Sequence, residues 1–240
     1  MSIRPSIITL ALIWALASCG SSVGSGTGFT KAELSLIHDT DSIMRVLTID
    51  NPADNFILRD RSTDLSAEAL ASDDFKKLSE LMVATVTHPS QDGVGIAGPQ
   101  VGLNKRVVAV QRFDKEPDMN ASGKLDHPFE VYPNIRIVCL SDSTAYGAEG
   151  CLSVPDMRAD VLRSTEVVIE YADLQQLKEN RLRQMPDASS DNTRKTRALR
   201  NTISGSEVIP MKRDTISGFT AVIFQHEIDH LEGILYIDRL

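Results

Sequence analysis

Near the end of this 240-residue chain stands His226-Glu227-Ile228-Asp229-His230. On a helix, side chains at i and i+4 lie one turn apart on one face, so two imidazole nitrogens reach the same metal ion while Glu227 stands beside it. A carboxylate in that place accepts a proton from water that the cation has made acidic. The chain has only 5 histidines, and these two continue a helical stripe begun by Phe219, Val222 and Ile223. A stripe of that kind faces a core, where unpaired polar groups are costly, and this argues against two idle surface histidines.

Two histidines leave a tetrahedral ion short of a protein ligand. The third histidine of the longer protease pattern H-E-x-x-H-x-x-G-x-x-H is missing, since Gly233 is followed by Ile234-Leu235-Tyr236. A thiol candidate is Cys151, in Glu149-Gly150-Cys151-Leu152-Ser153-Val154-Pro155, a strand-like segment entered through Gly147 and Gly150. The third notable segment, Gly93-Val94-Gly95-Ile96-Ala97-Gly98-Pro99-Gln100-Val101-Gly102, is a glycine-rich loop whose spacing does not suit phosphate. Taken alone, Gln100 reads as an amide capping a turn and Glu149 as a surface acid.

In combination the three segments resemble peptide deformylases, which carry G-x-G-[IL]-A-A-x-Q, E-G-C-L-S and Q-H-E-x-D-H in this order. The likeness runs from about Arg45 to Leu240. It implies that Cys151, His226 and His230 ligate one divalent metal ion, Fe(II) first and Zn(II) as the alternative, with Glu227 as general acid and base. It further implies that Gln100 and the Leu152 backbone N–H stabilise the oxyanion, and that Val94, Gly95 and Arg158 contact the substrate chain. The implied reaction removes the N-formyl group from N-formylmethionyl peptides. Two departures stand out, Gly98 in place of the second alanine and an unusually long Gln175–Arg213 segment. The alternatives are an exported metallopeptidase or amidase acting on a related N-acyl substrate, and an inactive binding lipoprotein.

The elements that must position these groups follow from hydrophobic periodicity. From Ala67 to Thr87, Leu70, Phe75, Leu78, Leu81, Met82 and Val86 recur at helical spacing, which predicts one amphipathic helix ending near His88-Pro89. Val107–Val110, Ile135–Leu140 and Val167–Tyr171 are β-rich runs. A catalytic helix is expected from about Thr215 to Glu232, stopped by Gly233. The expected fold is α+β, mostly antiparallel sheets around a central C-terminal helix that carries H-E-x-x-H. From Gln175 to Arg213 nine Lys and Arg stand against four acids with few large apolar residues, which reads as a solvated or partly disordered insert.

The amino terminus has the build of an export signal: Arg4, an apolar run Ile7–Ala17 too short to span a bilayer, then Leu16-Ala17-Ser18-Cys19. The last four resemble the cleavage box of bacterial lipoproteins, so residues 1–18 are expected to be removed and Cys19 lipidated. Residues 19–44 then form a tether and linker, rich in Gly and Ser at its start, and 45–240 the catalytic domain. The expected location is the cell envelope, with membrane contact only through Cys19, or the cytoplasm if the signal is unused. Formylmethionine arises at the ribosome, so an anchored enzyme implies free or exported formyl-peptides, or a different amide. The charge of −8, from 25 basic and 33 acidic residues, argues against nucleic acid as a partner, and the protein is expected to be a monomer. Cys139, within an apolar strand run, is expected to be a buried free thiol.

Overall fold

The computed structural model describes residues 27–119, 123–184 and 207–240. The helices are α1 (Lys31–His38), α2 (Pro52–Leu58), α3 (Ala67–Leu70), α4 (Asp73–Val86), α5 (Leu174–Gln184) and α6 (Gly218–Leu231). The strands are β1 (Gly95–Ala97), β2 (Val107–Gln111), β3 (Asp118–Met119), β4 (Leu125–Asp126), β5 (Phe129–Pro133), β6 (Arg136–Leu140), β7 (Thr144–Cys151), β8 (Val154–Ser164), β9 (Glu166–Ala172) and β10 (Met211–Ser217). All pairings between these strands are antiparallel, in sheets ordered β1-β2-β5 and β10-β9-β6 and in the hairpins β3-β4 and β7-β8. The α+β architecture expected from the sequence is the one observed.

β2 explains how the layers meet. All five of its residues are buried, because the sheet is covered on both faces and its pleat sends alternate side chains to opposite sides. Val107 and Ala109 join Ile96 against Phe75, Leu78 and Met82 of α4. Val108 and Val110 join Ala97 against Ile223, Phe224 and Leu231 of α6. The catalytic-type helix therefore lies in the interior, packed on β1 and β2 from one side and on β8, β9 and β10 from others.

Several expectations are corrected. The helix foreseen over Ala67–Thr87 is two helices, because the Ser72 hydroxyl accepts from the Phe75 N–H and so starts a new one at Asp73. The described residues from Thr27 onward, well before Arg45, already belong to the packed body: α1 is closed by a reciprocal Thr30–Glu33 capping box and buries Ile37 completely. The buried Lys105 amine donates to the Thr27 hydroxyl and the Gly28 carbonyl, at 2.9 and 3.0 Å. The polar segment Gln175–Arg213 opens as α5, docked through the buried Leu177, and closes as β10, with Arg181 bonded to Glu207 between its two ends. Residues 185–206 of that segment, like the signal and Cys19, lie outside the described residues. Cys139 is exposed, since β6 is an edge strand with an irregular register at Val138, and both Cys139 and Cys151 are free.

α6 starts later than expected, at Gly218, because β10 holds residues 211–217 in the sheet. It ends where Gly233 adopts φ +72° with its Cα against the Arg59 carbonyl; a Cβ there would stand 2.3 Å from that oxygen. Gly233→Ala is therefore expected to lose on the order of 3 kcal/mol of stability from backbone strain and overlap together, measured by urea unfolding of the two proteins.

Candidate active site and metal centre

α6 turns Glu227 and His230 wholly inward, with His226 and Asp229 almost as deep. Facing them, β7 delivers Cys151 at its end, where the hairpin register shifts between Gly150 and Cys151. The Cys151 Sγ lies 3.2 Å from His230 Nε2, and the ligand atoms of Cys151, His226 and His230 all fall within 4.8 Å of one another. That is the clustering of groups that share one small cation. A cleft of about 770 Å³ opens onto this cluster, lined by Val94, Gly95, Gln100, Leu152, Arg158 and Glu227 among others.

Behind the cluster runs a chain of buried charges. His226 Nδ1 donates to Glu149 Oε2 at 2.7 Å, which turns Nε2 toward the cleft. Arg163 holds the same carboxylate through Nε and Nη2, at 2.7 and 3.0 Å, and reaches Asp229 Oδ2 through Nη1 at 2.6 Å. Glu149 is thus no surface acid: it is buried, and Arg163, unremarked in the sequence, is its partner. The two sit on opposite arms of the β7-β8 hairpin, Glu149 across from Ala159 and Arg163 across from Ala145, and are joined diagonally.

The site's electrostatics suit a cation. Burial disfavours charge on His226, yet Cys151 and Glu149 beside it raise its pKa to about 10, so positive charge is drawn to this ring. Burial and the positive His226, Arg163 and Arg59 hold His230 well below its usual range, as the neutral imidazole a metal requires. Glu227 is raised to about 7 by burial, which Glu149 reinforces and His226 opposes. Its Oε2 is buried with no protein partner. These features fit a metal-centred site with a carboxylate free to exchange protons.

The glycine-rich loop is shaped by what surrounds it. A Cβ on Gly95 would lie 2.5 Å from Glu227 Oε1, so only glycine admits the carboxylate. At Gly98 a Cβ would meet the Leu103 and Lys105 carbonyls at 2.7 Å, which is why glycine replaces alanine there. Pro99 opens a 3-10 turn over Gly98–Val101. There Gln100 Oε1 accepts the Ala97 N–H at 2.8 Å, leaving its NH2 to face Ser153 Oγ at 3.2 Å and Cys151 Sγ at 3.6 Å. Ser153, fully buried and also missed by sequence reasoning, fixes that amide from below.

An α+β fold with a buried H-E-x-x-H helix, a facing thiol and a cleft defines a single-metal hydrolase. The profile of the family described as polypeptide deformylase matches residues 43–185 and 198–240. A peptide deformylase of Leptospira biflexa serovar Patoc is 33% identical over 199 residues, covering 83% of this chain and 88% of that one. Peptide deformylase 2 of Gloeobacter violaceus is 34% identical over 184 residues, 77% of this chain and 74% of the relative. The solved Met-Ala-Ser-bound class I type b peptide deformylase of Acinetobacter baumannii superposes with a TM-score of 0.59 at 29% identity, over 84% of this chain and all of the other. The chain belongs to the polypeptide deformylase family. Its activity is metal-dependent removal of the formyl group from formylated peptides.

Two outcomes follow from this geometry. Gly95→Ala should keep its metal and lower turnover about a hundredfold by displacing Glu227, checked by metal content beside kcat. Burial by itself would raise Glu149, but hydrogen bonds from Arg163 and His226 outweigh it and bring its pKa to about 2, against an ordinary 4.5. The folded chain thus holds fewer protons on this group than the unfolded one, so its stabilisation is complete above pH 4.5 and fades as pH falls toward 2. Urea unfolding between pH 6 and 3 should show a shallower acid decline in Glu149→Gln than in the wild type.

Proposed function

We propose that Cys151, His226 and His230 hold one divalent cation, Fe(II) with Zn(II) as the alternative, and that Glu227 moves the protons of the deformylation. One thiolate and two imidazoles suit either ion. A cation there brings the ionisation of water near neutral pH and polarises the formyl carbonyl. The Glu227 carboxylate, poised near 7 with Oε2 unpartnered, takes the proton of the attacking water and delivers it to the departing amine. Formate and a free amino terminus leave. The Gln100 NH2 and the Leu152 N–H donate to the oxygen that gains negative charge in between. Val94, Gly95 and Arg158, which line the cleft, are the residues assigned to the peptide chain. The observation that carries this reading is the buried, unpartnered Glu227 beside three convergent ligand atoms.

The Acinetobacter baumannii structure named above holds Met-Ala-Ser, and formyl-Met-Ala-Ser is the proposed test substrate. Glu227→Gln is expected to retain metal and lose kcat by several orders of magnitude, while Cys151→Ser loses metal. Unchanged turnover in the first or unchanged metal content in the second would remove that residue from its role.

The proposed setting is the cell envelope, as a monomer anchored through lipid on Cys19. Its support is the Ile7–Ala17 run ending in Leu16-Ala17-Ser18-Cys19 and followed by glycine and serine. Among the described residues no helix is long and apolar enough to cross a membrane. In a host that processes lipoproteins, the wild type should partition with membranes and start at Cys19, and Cys19→Ala should not be lipidated. Wild type recovered with Met1 intact in the soluble fraction would exclude export.

A further inference from the structure

The charge chain behind His226 does not stop at Asp229. Arg239, in the 3-10 turn Tyr236–Arg239 that closes the fold, donates through Nε to Asp229 Oδ2 at 2.5 Å and through Nη2 to Oδ1. The sequence of contacts is thus His226, Glu149, Arg163, Asp229, Arg239, with two carboxylates matched by two guanidiniums. Glu149, Arg163 and Asp229 are each less than a tenth exposed, whereas the Arg239 side chain is 41% exposed. The same turn reaches the ring a second way, since Tyr236 stacks on His226 at 5.9 Å and 25° between planes.

We infer that Arg239 is a positioning residue for the metal-binding imidazole of His226, acting through Asp229, Arg163 and Glu149; this rests on the ligand set proposed above. Two carboxylates compete for one rigid fork. The Arg163 guanidinium has a fixed set of donors, three of which serve Glu149 twice and Asp229 once. Arg239 satisfies both Asp229 oxygens, so Asp229 asks only one bond of Arg163. Without Arg239, two buried carboxylates share a single guanidinium, and a buried acid that loses its partner recruits the nearest cation. Arg163 then shifts toward Asp229, and the carboxylate that fixes the tautomer and direction of His226 loses its own support. Loss of outer contacts of this kind weakens metal binding roughly ten- to a hundredfold. An ordinary surface ion pair at the chain terminus would leave the metal untouched.

The test uses the full chain loaded with Co(II), titrated against a chelator and observed in the visible spectrum, with formyl-Met-Ala-Ser kinetics alongside. Arg239→Ala should weaken Co(II) binding at least tenfold and alter the cobalt spectrum, with KM unchanged. Arg239→Lys, which keeps the charge, should recover most of the affinity. Adding Asp229→Asn to Arg239→Ala removes the unpaired acid and should recover part of it as well. The inference is overturned if Arg239→Ala binds Co(II) within twofold of wild type with the same spectrum. It is also overturned if neither the lysine variant nor the double variant recovers affinity, because the loss is then a general one. A wild-type cobalt form without sulfur-to-metal charge transfer would instead overturn the ligand set itself.

Discussion

The buried ion pair between Glu149 and Arg163 is the interaction on which the other parts of the site depend. It joins the two arms of the β7-β8 hairpin, and through Asp229 and His226 it joins the hairpin to α6. Two elements from distant parts of the chain are thereby held in one orientation, and the Cys151 sulfur arrives beside His230 as a result. Charges this deep are costly to desolvate, and this network offsets the cost by satisfying nearly every donor and acceptor within it. What it gives in exchange is direction: the His226 ring is fixed at Nδ1 and turns its other nitrogen to the cleft.

Around that pair, the remainder of the fold is arranged to exclude bulk. The β1 strand runs so close to α6 that Gly95 has no room for a methyl group beside Glu227. Burial, opposed by His226 and reinforced by Glu149, raises the Glu227 carboxyl to about 7, where proton exchange is easy at neutral pH. A separate crowding stands at Gly98, where the Leu103 and Lys105 carbonyls occupy the volume that a side chain would need.

The catalytic helix, the β2, β6 and β9 strands and the fold class were legible because hydrophobic periodicity reports burial directly. The residues the site brings together were legible from motif spacing and the resemblance. What stayed hidden was tertiary. Nothing local marks Arg163 as the partner of Glu149, since the two meet diagonally across the folded hairpin, and Ser153 looks like any serine until Gln100 lies over it. The continuous periodicity through Ala67–Thr87 concealed the break at Ser72, because two helices packed on one core show the same apolar stripe as one. α1 was read as linker from the Gly/Ser-rich stretch before it and from where the resemblance starts, and α5 as part of a polar insert, although Leu36 and Ile37 of the first and Leu174 and Leu177 of the second pack on the core. Phe219 shows the opposite error: it belongs to the helical stripe but sits at the open end of α6, 55% exposed on the rim of the cleft.

The separation of the metal-facing groups along the chain has a consequence for the order of assembly. His226 and His230 are neighbours as soon as one turn of helix forms, but Cys151 stands 79 residues before His230. Loop closure over such a distance is slow and entropically unfavourable until strands and helix have already docked. A chain without tertiary structure therefore does not hold these three ligand atoms together, and the sulfur completes the set only with the tertiary fold. Cation capture is a late event in this topology, reporting that the hairpin has found its helix.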